Sequence, residues 1–475
     1  MKETIHRIAD DVNNGRIDPR ERVSDALALI EQYEYLNATR FLLRDKAMAA
    51  AERLNQAIRG GKRDFPLAGV TVAVKDNIVT TGDECTAGSK ILKSYISPYT
   101  ATAVERLENA GAIVVAKTNM DEFAMGSSGE NSAYGATGHP FDPSRVPGGS
   151  SSGSAVLAAV NAVDISLGSE TGGSVRQPAA FCGVVGVKPT YGRVSRYGLI
   201  AFASSLDQIG VFANNVSDTE AALYAMAGAD EHDATSAREP VPAVGTELDD
   251  GLQGLKIAVL KTSPELKPQS DVANAFDYTI HRMAEEGAEV DEVEFPLFAE
   301  AIATYYIICT AEASSNLARY DGGRYGARVE TDGLRDTYKQ TRGQGFGREV
   351  KRRILLGTFV LSSGFIDAYY RKAMLVRRKM ANEYLSVMEK YDALVLPTSP
   401  TTAFKMGERM DDPVAMYLSD IYTAPANLIG VPAISVPFGV DENRLPIGMQ
   451  VMAKPFAEAR MFRVASALEH IHARS

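Results

Sequence analysis

Tryptophan is absent from the sequence, and cysteine and histidine are scarce. The three cysteines, Cys85, Cys182 and Cys309, are odd in number and form no C-x-x-C pair, which argues against a disulfide framework and against a cysteine-based zinc site. None of the six histidines lies three or four residues from another, so the spacing of a histidine metal site is missing too. We therefore expect no metal in this chain.

Long apolar runs and an excess of basic residues are also missing. No run of about 18 apolar residues occurs anywhere, and no apolar core of a secretory signal is present in the opening segment, MKETIHRIADDVNNGR. From these absences we expect a cytoplasmic protein that does not bind a membrane. The net charge of −10 is unsuited to a chain that grips RNA by itself, because phosphate contacts need a basic surface.

The sequence does have the composition of a large globular protein. Its 475 residues are 45% hydrophobic and 23% charged, and length alone allows two or three domains. Residues 1–60 show the apolar spacing of helices, and residues 67–116 alternate between strand and helix patterns, which is typical of an α/β fold. Residues 228–254 are polar and rich in proline and glycine, and they form the best candidate for a linker between domains.

Two loops of small residues stand out, at residues 148–154 and 168–174. They bracket an apolar, alanine-rich segment, residues 155–167, that suits a buried helix running into a strand. Such loops can be a flexible linker, a phosphate-binding loop, or a nucleophilic serine with its oxyanion hole. The apolar flanks argue against a linker, and the missing P-loop lysine and G-x-G-x-x-G pattern argue against phosphate binding.

A nucleophilic serine needs a base. Among the histidines only His139 lies near the loops, and its His-Pro context is typical of a turn. Lys75 ends an apolar strand, where desolvation would lower its pKa and make a neutral amine available, although an ordinary ion pair is the alternative role. Cys182 lies in an apolar run and is interpreted as a buried thiol, with a cysteine nucleophile as the competing hypothesis.

Three segments together resemble the amidase signature family: V-K-D-N around Lys75, the Gly-Gly-Ser-Ser of residues 148–151, and residues 171–178. Residues 117–128 and 189–199 also resemble one branch of that family, the glutaminase subunits of tRNA-dependent amidotransferases. The resemblance covers nearly the whole chain. It implies a single α/β/α domain over residues 1–475 with a large mixed β-sheet covered by helices, in which residues 1–60 are helical and residues 228–254 are a surface loop.

The resemblance also implies a Ser–cis-Ser–Lys triad. In it Ser174 is the nucleophile, Ser150 is the bridging serine after a cis peptide, and Lys75 is the base. The oxyanion hole is then made by the backbone N–H groups of Thr171, Gly172, Gly173 and Ser174. Two departures from the family pattern are Ser152, where many members have glycine, and Glu170, where many have aspartate. Neither is a triad position, and Glu170 affects only the local hydrogen bonds of the loop.

For the substrate, the resemblance implies free glutamine. Arg353 matches the position that binds the α-carboxylate, and Asp420 matches the one that binds the α-ammonium. Tyr305 is a further candidate, but Tyr306 adjoins it and the sequence does not fix which of the two faces the site.

The implied function is hydrolysis of glutamine and delivery of ammonia to a partner that converts Glu-tRNA(Gln) to Gln-tRNA(Gln). The implied partners are subunits B and C of a heterotrimer, which also supply the ATP and Mg²⁺ chemistry and most of the tRNA contacts. A free-standing amidase of the same family is one alternative. A non-catalytic scaffold is another, and the filled triad positions argue against it.

Overall fold

The computed structural model describes residues 3–261 and 266–473. Within them one sheet of eleven strands runs through the molecule in the order β1-β3-β2-β4-β6-β5-β10-β11-β9-β7-β8. The strands are Thr39–Leu42 (β1), Thr71–Lys75 (β2), Ile113–Thr118 (β3), Ile165–Glu170 (β4), Val185–Lys188 (β5), Gln208–Ala213 (β6), Lys256–Leu260 (β7), Glu289–Val293 (β8), Ala393–Pro397 (β9), Ala433–Val440 (β10) and Pro446–Met452 (β11).

The sheet mixes both kinds of pairing. Strand β2 is parallel to β3 and β4, and β7 is parallel to β8 and β9. The strands between these groups pair antiparallel, and β1 is an antiparallel edge strand on β3. The prediction of an α/β fold with a large mixed sheet is confirmed. Strands on both sides of residues 228–254 share this sheet.

Helices flank the sheet. They are Ile5–Asn13 (α1), Pro19–Gln32 (α2), Arg44–Arg59 (α3), Thr102–Asn109 (α4), Ser152–Ala159 (α5), Arg176–Cys182 (α6), Val216–Met226 (α7), Ser270–Glu285 (α8), Ala301–Asn316 (α9), Leu334–Gly345 (α10), Arg348–Val360 (α11), Lys372–Met388 (α12), Pro413–Leu418 (α13), Ala424–Ile429 (α14) and Glu458–Ala473 (α15). Among the described residues, no helix combines the length and the apolar character needed to cross a membrane.

Two apolar cores lie on opposite faces of the sheet. In β9, Ala393 and Val395 join one core while Leu394 and Leu396 join the other, as expected because successive strand residues point to opposite faces. Helices α2, α3, α7, α8 and α15 contribute to the first core, and α9, α12 and α14 to the second. The inner strands are therefore largely buried on both sides, which explains their mostly apolar sequences. The two edge strands, β1 and β8, are half-buried and largely exposed.

The prediction that residues 1–60 are helical is wrong for one segment. Strand β1 lies between α2 and α3 and pairs with β3 at residues that include Thr39, Phe41 and Leu42. Its four residues are all half-buried, so its alternation is too short and too weak to stand out between two amphipathic helices. Residues 228–254 form turns and bends over a largely exposed course, with no helix or strand.

The parallel strands β2 and β4 bring two functional segments to one edge of the sheet. Val72, Ala73 and Val74 pair with Ile165, Ser166 and Leu167, so both strands end on the same side. The carboxyl ends of parallel strands are where clefts form in α/β sheets. Lys75 ends β2 there, and the loop after β4 begins there.

Candidate active site

Lys75 is fully buried at the end of β2 and contacts both small-residue loops. Its Nζ donates to Ser150 Oγ and to Ser151 Oγ, each at 2.8 Å, and to the backbone oxygen of Ser169 at 3.1 Å. An ammonium has three protons to donate and a neutral amine has two donors and one lone pair. These polar partners stabilise the lysine inside the fold and place its nitrogen beside two serine hydroxyls.

Burial sets the charge of this lysine. Desolvation lowers the pKa of Lys75 to about 7, and the nearby carboxylates of Asp121, Asp207 and Glu170 oppose that change. Desolvation destabilises the ammonium form of Lys75 more than attraction to these carboxylates stabilises it. Near neutral pH a large share of Lys75 is therefore a neutral amine, the form that can accept a proton.

The two serines that contact Lys75 differ in their other partners. Ser151 Oγ donates to the Ser169 oxygen at 3.1 Å and accepts from the Ser169 N–H at 3.3 Å, so its proton and lone pairs are already used. Ser150 Oγ has Lys75 as its single hydrogen-bond partner among the described residues. The Gly149–Ser150 peptide is cis. Ser150, not Ser151, keeps a hydroxyl that can serve as a relay.

Ser174 lies on the second loop, after β4, with 8% of its surface exposed. The N–H of Ser151 donates to the Ser174 backbone oxygen at 3.3 Å, so the two loops touch. Within the described part of the chain, no hydrogen bond joins the hydroxyls of Ser150 and Ser174. Catalytic hydrogen bonds are commonly loose before substrate binds, so this separation is compatible with a relay.

The loop between β4 and α6 presents unused backbone donors. Within residues 3–261 and 266–473, the N–H groups of Thr171, Gly172, Gly173 and Ser174 donate to no backbone acceptor. Backbone N–H groups without a partner, on the loop that carries Ser174, suit a developing oxyanion. The loop is held from outside by Thr171 Oγ1, which donates to Asp207 Oδ1 at 2.8 Å, and by Thr423 Oγ1, which donates to the Gly172 oxygen at 2.7 Å.

Glu170 anchors the base of this loop. Its carboxylate accepts from the N–H of Val175 at 2.9 Å and from the N–H of Arg176 at 3.0 Å, and it forms a fully buried ion pair with the Arg176 guanidinium. Arg176 in turn donates to the Thr423 oxygen and to Asn427 Oδ1. The glutamate at this departure from the family pattern thus makes the hydrogen bonds that tie down the loop.

Asp420 lies beside the same loop. A methyl group added at Gly173 would lie 3.1 Å from Asp420 Oδ1, and the other carboxylate oxygen accepts from Ser127 Oγ at 2.6 Å. Asp420 Oδ1 is buried with no hydrogen-bond partner among the described residues. Burial raises the pKa of Asp420 to about 7. A buried carboxylate oxygen without a partner is suited to a cationic ligand group, which would lower that pKa again.

Arg353 faces the site from α11. Its Nε donates to Glu349 Oε1 at 2.8 Å, and its guanidinium lies over the ring of Tyr306, 5.1 Å from the centroid. Neighbouring tyrosines and Glu349 hold the pKa of Arg353 above its usual value despite burial. Its two terminal NH₂ groups donate to no acceptor within the described residues. That free fork matches a carboxylate.

The two neighbouring tyrosines of α9 contact different residues of the site: Tyr305 contacts the serine loop, and Tyr306 contacts Arg353. A methyl group added at Gly172 would lie 2.5 Å from Tyr305 Cζ, so the Tyr305 ring packs on the serine loop. Tyr306 stacks on Tyr417 at 3.7 Å between ring centroids and covers Arg353. The structure therefore brings all of the sequence-predicted residues into one region, with Tyr305 nearer to the serine loop.

Several residues of this region were given no individual role from the sequence: Asp121, Ser127, Ser151, Gln177 and Glu349. Asp121 and Ser127 lie in residues 117–128, a segment that resembles one branch of the family without indicating individual roles. Glu349 could have been found from its position four residues before Arg353 on a helix, where such pairs form ion pairs. Gln177 lies in residues 171–178, which resemble the family without indicating a role for this side chain.

The two competing candidates have structural roles. His139 is buried in a turn, where its Nε2 contacts the Phe181 oxygen at 2.8 Å and burial lowers its pKa. Cys182 is buried with its Sγ donating to the Pro147 oxygen, and burial raises the pKa of the thiol, which disfavours a thiolate. Among the described residues, no group of three or more His, Cys, Asp or Glu side chains is arranged to hold a metal.

The profile of the amidase family, described as Amidase, matches residues 21–462, and the chain belongs to that family. In Koribacter versatilis (strain Ellin345), the A subunit of glutamyl-tRNA(Gln) amidotransferase is 53% identical over 465 residues, covering 96% of this chain and 97% of that protein. The crystal structure of the A subunit of glutamyl-tRNA(Gln) amidotransferase from Thermotoga maritima aligns with a TM-score of 0.80 at 43% identity, over 95% of this chain and 91% of that one. The peptide amidase PAM, in complex with chymostatin, aligns with a TM-score of 0.83 at 30% identity, over 99% and 97%.

Proposed function

We propose that this chain is the glutaminase subunit of a tRNA-dependent amidotransferase. The observation that carries the proposal is the placement of a buried guanidinium, Arg353, and a buried carboxylate, Asp420, around the loop that holds Ser174. A zwitterionic amino acid needs one cation and one anion at its α-carbon. The identity to amidotransferase A subunits over nearly the whole chain supports the same conclusion.

In the first half of the proposed reaction, Ser174 Oγ attacks the side-chain amide carbon of glutamine. The Ser174 proton passes to Ser150 Oγ while the Ser150 proton passes to the neutral amine of Lys75. The carbonyl oxygen becomes an oxyanion that the free N–H groups of residues 171–174 stabilise, and removal of one such donor typically costs about 10²–10³ in rate.

Collapse of this intermediate releases ammonia. The relay returns a proton from Lys75 through Ser150 to the leaving nitrogen, the C–N bond breaks, and a glutamyl ester on Ser174 remains. Water then attacks the ester and gives a proton to the same relay. Ser174 takes that proton back as glutamate leaves, and the enzyme is restored with one water consumed.

Glutamine is held in this proposal by three residues. The Arg353 fork binds the α-carboxylate, Asp420 binds the α-ammonium through its unpartnered oxygen, and Tyr305 closes the pocket against the serine loop. An incoming ammonium would also lower the raised pKa of Asp420, so the site becomes charged as the substrate enters.

We propose that the ammonia serves a cytoplasmic complex with subunits B and C, in a heterotrimer. ATP, Mg²⁺ and most of the tRNA contacts then belong to the partners, which convert Glu-tRNA(Gln) to Gln-tRNA(Gln). Residues 1–475 are proposed to form one amidase domain with residues 228–254 as a surface loop, which the continuous sheet supports.

A free-standing amidase is the second candidate, favoured by the 30% identity to the peptide amidase PAM. Such an enzyme shares the triad but has no need of a paired cation and anion for a zwitterion. The non-catalytic scaffold is disfavoured, because Lys75 and Ser150 remain hydrogen-bonded at 2.8 Å.

The deciding experiment compares glutamine with a neutral amide in the wild type, Arg353→Ala and Asp420→Ala. Truncation leaves the opposite charge of glutamine uncompensated at a cost of about 2–5 kcal/mol. We therefore expect kcat/KM for glutamine to fall roughly 30- to 3,000-fold, while the neutral amide changes far less.

A parallel loss for both substrates would indicate damage to folding or chemistry instead of recognition. Unchanged kcat/KM for glutamine in both variants would remove the basis of the glutaminase assignment and favour the free-standing amidase.

A further inference from the structure

Asp121 is a fully buried carboxylate that contacts the Gly149–Ser150 peptide without being part of the triad. Its backbone N–H donates to the Ser150 oxygen at 3.2 Å. Its side chain accepts from the N–H of Gly129 at 3.0 Å and from the N–H of Asn131 at 2.8 Å. One residue thus holds the bridging serine with its backbone and residues 126–131 with its carboxylate.

The fit between Asp121 and the serine loop is close. A methyl group added at Gly149 would collide with Asp121 Oδ2 and lie 3.0 Å from the Ser128 N–H nitrogen. The carboxylate therefore packs directly against the residue before Ser150. A shift of Asp121 would move the peptide that sets the position of the Ser150 hydroxyl.

The segment that Asp121 holds reaches the substrate side of the site. Ser127 lies in it and donates from Oγ to Asp420 Oδ2 at 2.6 Å. Gln177 links Ser127 to the residue before Ser150, because its Nε2 donates to the Ser127 oxygen at 2.8 Å and its Oε1 accepts from the Gly149 N–H at 3.1 Å. Asp121, Ser127 and Gln177 therefore connect the bridging serine to the carboxylate proposed for the glutamine ammonium.

Asp121 also acts on Lys75 through its charge. Lys75 faces three carboxylates from different elements, Asp121, Asp207 and Glu170, and each raises its pKa against the desolvation. Asp121 in turn is influenced by Lys75 and by Glu130, and burial raises its pKa to about 6. At neutral pH its negative charge favours the ammonium form of Lys75.

We propose that Asp121 is a positioning residue that holds Ser150 and Asp420 in one arrangement and balances the charge of Lys75. This inference rests on the proposed function for the role of Asp420. Asp121 itself contacts no reacting atom. It acts through the Gly149–Ser150 peptide, through Ser127 and through its field at Lys75.

The test is Asp121→Asn, which keeps the size of the side chain and removes its charge and one acceptor. The pH profile is measured on a neutral amide, because that substrate does not require Asp420 to be ionised. Loss of a nearby negative charge lowers the pKa of Lys75, so we expect the acid limb of kcat/KM to move down by roughly half to one pH unit. For glutamine we expect an additional rise in KM of about tenfold, as one weakened polar contact gives.

Asp142→Asn is the matched control, since Asp142 is a carboxylate of an exposed turn outside this network. It should leave both the profile and KM unchanged. The proposal would be overturned if the acid limb of Asp121→Asn stayed at its wild-type pH and kcat/KM fell equally for both substrates. Asp121 would then be a purely structural residue.

Ser127→Ala tests the connection if Asp121→Asn unfolds on thermal melting. It should raise KM for glutamine and leave the acid limb for the neutral amide in place. An unchanged KM overturns the connection to Asp420. A wild type that hydrolyses the neutral amide but not glutamine would defeat the proposed function, while the pH measurement would still decide the effect of Asp121 on Lys75.

Discussion

Burial destabilises the ammonium form of Lys75 and so makes its neutral amine available as a base. Its ammonium form has lost water and gained only hydroxyl and carbonyl partners, and its pKa of about 7 leaves much of it neutral at physiological pH. Hydrolysis of a neutral amide should therefore rise with pH through a midpoint of about 7. A lysine that served as an ion-pair partner would need its ammonium form, which this burial disfavours.

Replacement of Lys75 separates these two roles. In Lys75→Arg the guanidinium keeps the positive charge and can donate to the serine hydroxyls, but it cannot lose a proton at any usable pH. We expect hydrolysis of glutamine to fall by several orders of magnitude in Lys75→Arg and in Lys75→Ala alike, measured as ammonia release. An arginine variant with near wild-type turnover would show that the residue serves only as a cation.

At the residue scale the sequence predicts the serines and the lysine but not their surroundings. Lys75, Ser150 and Ser174 stand in recognisable local motifs. The contact between Ser127 and Asp420 joins residues far apart in the chain, and no local pattern reports it. The same limit applies to Tyr305 and Tyr306, because a helix places neighbours about 100° apart and only the packed fold decides which one contacts Gly172.

At the scale of elements, helix α5 depends on a close backbone approach. A methyl group added at Gly153 would collide with the Ala38 oxygen and lie 2.8 Å from the backbone N and O of Asn119. Gly153 N–H also donates to the Asn119 oxygen at 3.1 Å. The start of α5, directly after Ser150 and Ser151, is thus seated on the segments that border β1 and β3.

Gly153→Ala should therefore destabilise the protein although alanine favours helices. Forcing a methyl group into this contact typically costs about 1–3 kcal/mol, which should appear as a lower melting temperature and lower activity. Gly343→Ala on α10 is the control, since nothing lies within 4 Å of the added methyl group there. That change should be neutral or slightly stabilising. Equal melting temperatures for the two variants would contradict this account of α5.

Elements are predicted well where their patterns are long and poorly where they are short. Apolar runs predict strands that are buried on both faces at β2, β3, β7, β9 and β11. Strand β1 has only half-buried residues, and its sequence blends into the helical pattern on either side. Strand β1 forms because it pairs with the edge of β3, and this tertiary contact cannot be inferred from the local sequence.

At the scale of the whole molecule, the segment 228–254 carries a prediction about domain organisation. Strands β6 and β7 lie before and after it in one sheet, and β5 pairs with β10. Proteolytic cleavage within these exposed residues should leave the two fragments associated. Gel electrophoresis under denaturing conditions should show two bands, while size-exclusion chromatography shows one peak.

Cleavage without separation should also leave hydrolysis of a neutral amide largely intact, because Lys75 and Ser174 both precede the cut. An uncut sample provides the control. Fragments that part without denaturant would show two independent domains, as the linker-like composition of residues 228–254 suggests on its own.

The pairing of β5 with β10 has a consequence for synthesis on the ribosome. Strand β5 completes its pairing with β6 early, through residues 185–187, but on its other edge residues 186–188 wait for residues 433–435. At translation rates of about 5–20 residues per second, that edge stays open for roughly tens of seconds. An apolar strand edge exposed for so long invites pairing with another nascent chain. We therefore expect the nascent N-terminal half, although it holds Lys75, Ser150 and Ser174, to be prone to such pairing until residues 433–435 emerge.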